Sequence, residues 1–467
     1  MHKGGGMGFI KWAKEALLSM LLQDAKQIYS VDPITTPRMD TAQGAWMRTY
    51  AGEPRWLTNE IKTVNFAKTV CEATANLATL DIKINFSGGP RAKWLQAETN
   101  RALFAGYRLR KWVEYGAAAG TVIFKPNGAG LDIITPGNFV ITECDSNRRI
   151  TGAVFRDTYQ RGEYFYTRLE YHRTEGGTYR ISTRAFVSRS AATLGAEISL
   201  EDTKWAGIEP EVYIGGVEDG RALFGVFSMP AANGLDLDSP LGVSIFSNAL
   251  QELEDLDIAY SRNAWEIKQS NAIELIDDRL LQSADGSITL PSHVHKVFGG
   301  NNANGGEFYQ AIERPLRTAD RITGINHLLS LIGSKCGYSD GYFVLDAKTG
   351  LVTATQVESD DRKTIQLIKD IRDALQAALD DTFYALNVMA DLYDLSPGGN
   401  YKVDYAFGDI TYSYDEDRAR WYQMAQSGMV PKWMYLTKFE GMSEDEARRI
   451  VSETETVAAG GLFPAAE

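Results

Sequence analysis

Between Ala354 and Asp391 the chain contains neither glycine nor proline, and this unbroken stretch limits the fold more than any other feature. Two overlapping capping boxes stand at its head, Thr353-x-x-Gln356 and Thr355-x-x-Glu358, pairings in which side chains satisfy the orphan amides of a helix start. Only the first has a hydrophobic staple, Val352 with Val357, so the helix is expected to begin at Ala354. Apolar residues then recur at Ile368, Ile371, Leu375, Leu379, Leu386 and Met389, the steps of three and four that place them on one helical face. Such a helix would be about 57 Å long, several times the usual three turns. Asp370, Asp373, Asp380 and Asp381 exclude a membrane span over this stretch, which leaves a structural strut.

A chain of 467 residues has room for about two to four structural units around such a strut. Hydrophobic content of 44% with 23% charged residues is that of a folded globular protein. The formal net charge of −13 argues against a broad basic face for nucleic acid, because phosphate neutralisation needs clustered Lys and Arg. It leaves open a protein that surrounds a polyanion without gripping it. The three cysteines, Cys71, Cys144 and Cys336, are far apart and form no CxxC pair, which suggests buried thiols in a reducing compartment. Near the N-terminus, "GFIKWAKEALLSMLLQDA" has an apolar run of only Ala16 to Leu22, with Lys11, Lys14 and Glu15 upstream. That pattern fits an amphipathic helix docked on the body better than a signal peptide or a span.

Further helices are expected at Thr58–Leu80, about Ala92–Ala119, about Val243–Lys268 and about Thr318–Lys335 from their apolar spacing. Between Thr121 and Met229 the pattern changes to short β-rich runs such as "TVIFKP", "ITGAVFRDTY" and "TYRISTRAFVS", separated by turn residues. An antiparallel meander inserted into a helical protein is expected there. A short mixed segment covers Asn271–Arg314, and three short helices follow Gly428, Pro431 and Gly441, with a capping box at Ser443 to Glu446. "YSDGYFVLDAKTGLV" is too long and too apolar for a simple connection, and loops of that kind tend to be functional.

Enzymatic signatures are scarce. The sequence has no P-loop, no GxSxG, no HExxH and no EF-hand loop. His293 and His295 share one strand face without a third ligand nearby in sequence, which reads as a surface pair. Asp277-Asp278 and Asp360-Asp361 are adjacent residues, so their side chains diverge as solvated groups do. No cofactor and no catalytic or metal residue is expected.

Taken in order, several segments resemble the portal proteins of tailed double-stranded-DNA bacteriophages, especially the portal family of long-tailed phages. "GYSDGYFVLDAKTGLVTATQV", leading into the long helix, carries the resemblance most directly. "GFIKWAKEALLSML" is similar to that family's N-terminal helix, and "WMRTYAG" to its W-x-x-x-Y-x-G segment. "NEIKTVNFAKTVCEATANL" resembles the helix that follows, and "SPLGVSIFSNALQELEDLDIAY" the first stem helix. "GMVPKWMY" and "GMSEDEARRI" look like the C-terminal helical part. Gln356 stands where many relatives have Glu, a swap that keeps the capping box.

The resemblance implies an α+β portal fold assembled as a dodecameric ring around a DNA channel at one capsid vertex of the virion. It implies a wing at 1–240 and 354–412, stem helices at 241–270 and 315–337, and a clip at 271–314. A tunnel loop at 338–353 and a crown at 413–467 complete the division. Implied partners are the other ring subunits, double-stranded DNA, the terminase motor, the major capsid and scaffolding proteins and the head–tail adaptor, with no membrane. Tyr342, Phe343, Asp346 and Lys348 of the tunnel loop would meet DNA, while Thr353 and Gln356 would cap the strut that anchors the loop. The aromatics of this loop have a second reading, as side chains packed into the wing.

Composition adds a related expectation. From Asp236 to Ser261 there are six acids, Asp236, Asp238, Glu252, Glu254, Asp255 and Asp257, and no Lys or Arg. Glu252 and Asp255 fall opposite the Phe246, Leu250, Leu253 stripe on a helical wheel. They form either an ordinary solvated face or, in a ring, a channel lining that DNA can slide past. A salt bridge to Arg317 or Arg321 of the neighbouring helix is a further alternative. A different class of function is also open, a small-oligomer enzyme built on the β-rich segment, which particle size would separate from a large ring.

Overall fold

The computed structural model describes residues 21–127, 130–218, 220–269, 273–277, 294–297, 309–312, 317–344, 362–408, 421–427, 429–440 and 442–459. The chain is mixed α+β. No helix among the described residues is long and apolar enough to cross a membrane.

Helical residues 21–29 lead into α1 (Pro37–Tyr50). Leu21 and Ala25 are fully buried against Val140, Val154, Leu169, Tyr171 and Phe186, so this end of the expected amphipathic helix docks on the body. Thr36 caps α1, its hydroxyl accepting from the Met39 amide, and Pro37 opens the first turn. Next come α2 (Phe66–Ala78), β1 (Lys83–Gly88), α3 (Pro90–Thr99) and α4 (Arg108–Ala119).

Two expected helices are shorter than their periodicity suggests. Residues 58–65 are not helical: the Thr58 hydroxyl accepts from the amides of Glu60 and Ile61, and Thr63 accepts from Asn65. Such local bonds compete with a helix, and Asn65 then enters the left-handed region at φ 55°. The helix expected over 92–119 is two helices. A π-helical turn (Asn100–Phe104) and two left-handed residues, Gly106 at φ 67° and Tyr107 at φ 56°, separate α3 from α4.

The β-rich region forms two sheets rather than one meander. β4 (Phe139–Cys144), β5 (Ile150–Arg161), β6 (Tyr164–Glu175), β7 (Thr178–Ser188) and β8 (Ala196–Ile198) run in sequential antiparallel order, with β9 (Glu211–Ile214) paired to β7. A separate three-stranded sheet has the order β10-β2-β3 (Gly225–Ser228, Thr121–Pro126, Leu131–Ile134). β2 is buried along its whole length, because α4 and the strut pack against it.

α5 (Leu250–Gln269) and α6 (Thr318–Lys335) follow, and α6 has the bounds its apolar spacing predicts. Residues 243–249, expected to be helical, instead lead into α5 through a short 3-10 turn at Ser247–Ala249. Between the two helices, β11 (Ile273–Asp277), β12 (Val294–Val297) and β13 (Tyr309–Ile312) form a small sheet of order β12-β11-β13.

The strut is α7 (Arg362–Leu392), 31 residues long in its described part, or about 46 Å. The expected start at Ala354, with its capping residues Thr353 and Gln356, lies outside the described residues; the end falls one residue beyond the expected one. Ile368, Ile371, Leu375, Leu379 and Leu386 are buried as their spacing requires, whereas Met389 is only half-buried. Contact with β10 is so close that a Cβ on Gly225 would strike the Ala378 carbonyl and the Thr382 hydroxyl. Beyond the strut, β14 (Tyr401–Ala406) pairs antiparallel with β1, a long-range pairing that sequence spacing does not reveal. Helical residues 421–426, α8 (Lys432–Phe439) and α9 (Glu444–Ala459) follow. The Ser443 hydroxyl accepts from the Glu446 amide at 3.4 Å, as half of a capping box does.

Candidate functional site: the paired helices and the loop beside them

α5 and α6 are antiparallel, since ion pairs join opposite ends. Glu252, at the start of α5, meets Lys335 at the end of α6 (2.5 Å), and Glu266 near the end of α5 meets Arg321 near the start of α6. Leu253, Leu256, Ile325, Leu329 and Ile332 are buried. On the outside of the pair Tyr260, Trp265 and Leu331 remain exposed, at 47%, 60% and 36%.

The acidic stretch is therefore less open than its composition implies. Glu252 is clamped to Lys335, a partner other than the expected Arg317 or Arg321. The Lys335 ammonium holds the Glu252 carboxyl below its ordinary value, against the opposing effect of burial. Asp257 is buried at 3%. It accepts from the Trp56 indole (2.9 Å) and the Val64 amide (2.8 Å), and so ties α5 to the connection before α2. Asp236 accepts from the Thr36 hydroxyl, and Asp238 pairs with Arg148. Asp255 is exposed and Glu254 half-exposed. Of the two acids singled out for the channel, only Asp255 remains available to solvent.

The loop after α6 starts as a packed structure. Tyr338 is fully buried, and its hydroxyl lies 2.7 Å from that of Thr74 in α2. Phe343 packs edge-on to Phe66 (5.1 Å) and against Tyr338 (4.9 Å), with Tyr342 beside it at 4.8 Å. Phe343 thus follows the packing alternative, while Tyr342 remains 41% exposed. Asp346 and Lys348 lie outside the described residues. A clamp joins the loop's base to the strut: Thr364 Oγ1 accepts from the Ser339 amide at 2.9 Å, and Ser339 Oγ accepts from the Thr364 amide at 3.3 Å. Both residues are buried, so the clamp fixes the segment after α6 against the first turn of the strut. Nearby, Cys71 and Cys336 are buried free thiols raised in pKa by burial, Cys336 to about 12; at neutral pH neither is a nucleophile.

Sequence reading missed a second cluster. In the space between the two sheets, Lys125 Nζ meets Glu170 Oε1 at 2.7 Å and His172 Nε2 meets the same oxygen at 2.7 Å. His172 Nδ1 lies 3.0 Å from the Tyr179 hydroxyl, whose oxygen accepts from the Leu223 amide at 3.1 Å. A carboxylate only accepts, so His172 carries its proton on Nε2, and Nδ1 accepts from Tyr179. One arrangement of protons satisfies all four groups. Burial pushes the Glu170 carboxyl up, but Lys125, His172 and Arg168 outweigh it and hold it well below the usual carboxylate range. Burial pushes His172 down. These residues have the chemistry of an acid–base site, yet they are 0–8% exposed, and their arrangement suits an internal electrostatic tie between sheets. Among the described residues no group of three or more His, Cys, Asp or Glu could hold a metal ion.

No protein-family model matches the chain, and no curated protein matches it.

Proposed function

We propose that this chain is a phage portal protein, a subunit of a dodecameric ring through which double-stranded DNA enters and leaves a capsid. The ring docks the terminase motor during packaging and the head–tail adaptor afterwards, and it uses no cofactor and performs no reaction of its own. The order of segments along the sequence suggests this reading. The observation that supports it most is the antiparallel pair α5–α6, clamped at both ends yet exposing Trp265, Tyr260 and Leu331. Large apolar side chains displayed on a two-helix hairpin suit burial against neighbouring subunits. A head-to-tail ring provides such a surface on every subunit. The small β11–β13 sheet at the tip of the hairpin then corresponds to the clip, and the strut to the wing helix behind the loop.

Native mass measurement, with negative-stain imaging of the same preparation, tests the proposal. A closed ring with a central channel and about a dozen copies is expected. A species that stays monomeric or dimeric across salt and concentration overturns it.

A further inference from the structure

Between Lys93 and Lys111 the sequence carries five cations, Lys93, Arg101, Arg108, Arg110 and Lys111, against the single acid Glu98, in a chain whose net charge is −13. All five cations are exposed. Arg108, Arg110 and Lys111 all stand in the first turn of α4, just after the break from α3. The π-helical turn and the left-handed Gly106 and Tyr107 interrupt the helix, and the Arg108 guanidinium reaches the Arg101 carbonyl at 3.5 Å. Arg110 lies over the Tyr107 ring at 5.6 Å, while the ring itself is 71% exposed. Lys111 stands one turn along α4 from Arg108. Arg101 is paired with Glu98, but Arg108, Arg110 and Lys111 make no ion pair among the described residues.

The local electrostatics are one-sided. α4 begins without a side-chain cap and without an acid in its first turn. Three cations therefore sit at the helix end that is already positive, an arrangement unfavourable in the isolated chain and relieved by an anion. Guanidinium groups match phosphate oxygens in bidentate fashion, and the exposed Tyr107, with Arg110 over one face of its ring, offers the other face for a base to stack on. A carboxylate-bearing partner would use the charges but not the ring.

We propose that Arg108, Arg110, Lys111 and Tyr107 form a binding surface for nucleic acid, gripping backbone phosphates with the cations and a base or sugar with the ring. The surface is local, so it coexists with the acidic character of the whole chain. It goes beyond the portal reading and does not rest on it: ring size tests that reading, and charge substitution tests this one in any assembly state.

The test is fluorescence anisotropy with labelled 20-nucleotide single strands and 20-base-pair duplexes, on the full chain, from 50 to 200 mM salt. Binding should weaken with salt along a log–log slope that R108Q/R110Q/K111Q makes shallower by about two to three, with at least a tenfold loss of affinity at low salt. The Tyr107→Ser variant should weaken single-strand binding more than duplex binding. If the triple variant fails to fold, judged by its thermal melt, R108Q and K111Q singly should each reduce the slope by about one. Absence of binding at 50 mM salt, an unchanged slope in the variants, or displacement by polyglutamate as readily as by unlabelled nucleic acid would each overturn the proposal.

Discussion

His172 is neutral in the folded chain because burial lowers its pKa from 6.5, while the Glu170 carboxylate opposes that shift without cancelling it. An unfolded chain regains the ordinary value. Below about pH 6.5 the unfolded state therefore binds a proton that the folded state refuses, and stability falls as the pH drops toward the folded value. The largest slope this one group can impose is about 1.4 kcal/mol per pH unit. Glu170, also depressed, acts in the same direction at lower pH. In His172→Gln an amide can donate to Glu170 and accept from Tyr179 but cannot titrate. Urea unfolding between pH 5 and 7 should show a shallower pH dependence in this variant than in the wild type. Equal slopes would mean that His172 does not control that window. The sequence hinted at half of this cluster, since Glu170 and His172 alternate along β6 and share one face. Lys125 and Tyr179 join it through sheet packing, which local pattern cannot express.

Among the elements, a buried arginine ties the C-terminal end of the strut to α3. Arg91, in the first turn of α3, is 1% exposed. One nitrogen donates to the carbonyl and side-chain oxygens of Asn387, and the other to Asp391 Oδ1 (2.6 Å) and the Ser396 carbonyl (2.9 Å). These bonds occupy carbonyls near a helix end, where cations are favoured. Arg91→Lys removes the planar fork that reaches both sides, and Arg91→Ala leaves the buried Ser396 and half-buried Asn387 carbonyls without their donor, while the exposed Asp391 carboxylate can turn to solvent. A loss of about 2 kcal/mol is expected for Arg91→Ala from the hydrogen bonds left unmade, with faster amide exchange concentrated over the last turns of the strut. Exchange that accelerates uniformly along α7 would contradict a local role. The strut's apolar face and α6 were legible because spacing by three and four survives any tertiary context. The breaks at Asn65 and Gly106–Tyr107 were not, because each depends on one or two residues in the left-handed region inside an otherwise helical rhythm. The β1–β14 pairing joins segments more than three hundred residues apart, and no local signal encodes such a partner.

At the scale of the whole molecule, the acidic stretch ahead of and along α5 divides into acids that hold the chain together and acids that remain exposed to solvent. Glu252 belongs to the first kind through Lys335, and Asp255 to the second. The two positions should therefore respond differently to charge reversal. Glu252→Lys places two ammonium groups together at one end of the helix pair and is expected to lower the stability of the chain by about 1 kcal/mol, since the pair is partly solvent-screened. Adding Lys335→Glu restores opposite charges, so the double variant should recover most of that loss in a chemical-denaturation cycle. Asp255→Lys, at an exposed site, should change stability by less than about 0.5 kcal/mol. If α5 lines a DNA channel in an assembled ring, that same substitution adds salt-sensitive attraction once per subunit. DNA should then be retained more tightly at low ionic strength and pass more slowly, and added salt should relieve the defect. Sizing each variant before measuring DNA retention separates a damaged ring from an altered channel. An intact Asp255→Lys ring with wild-type DNA handling would place this face of α5 away from the channel.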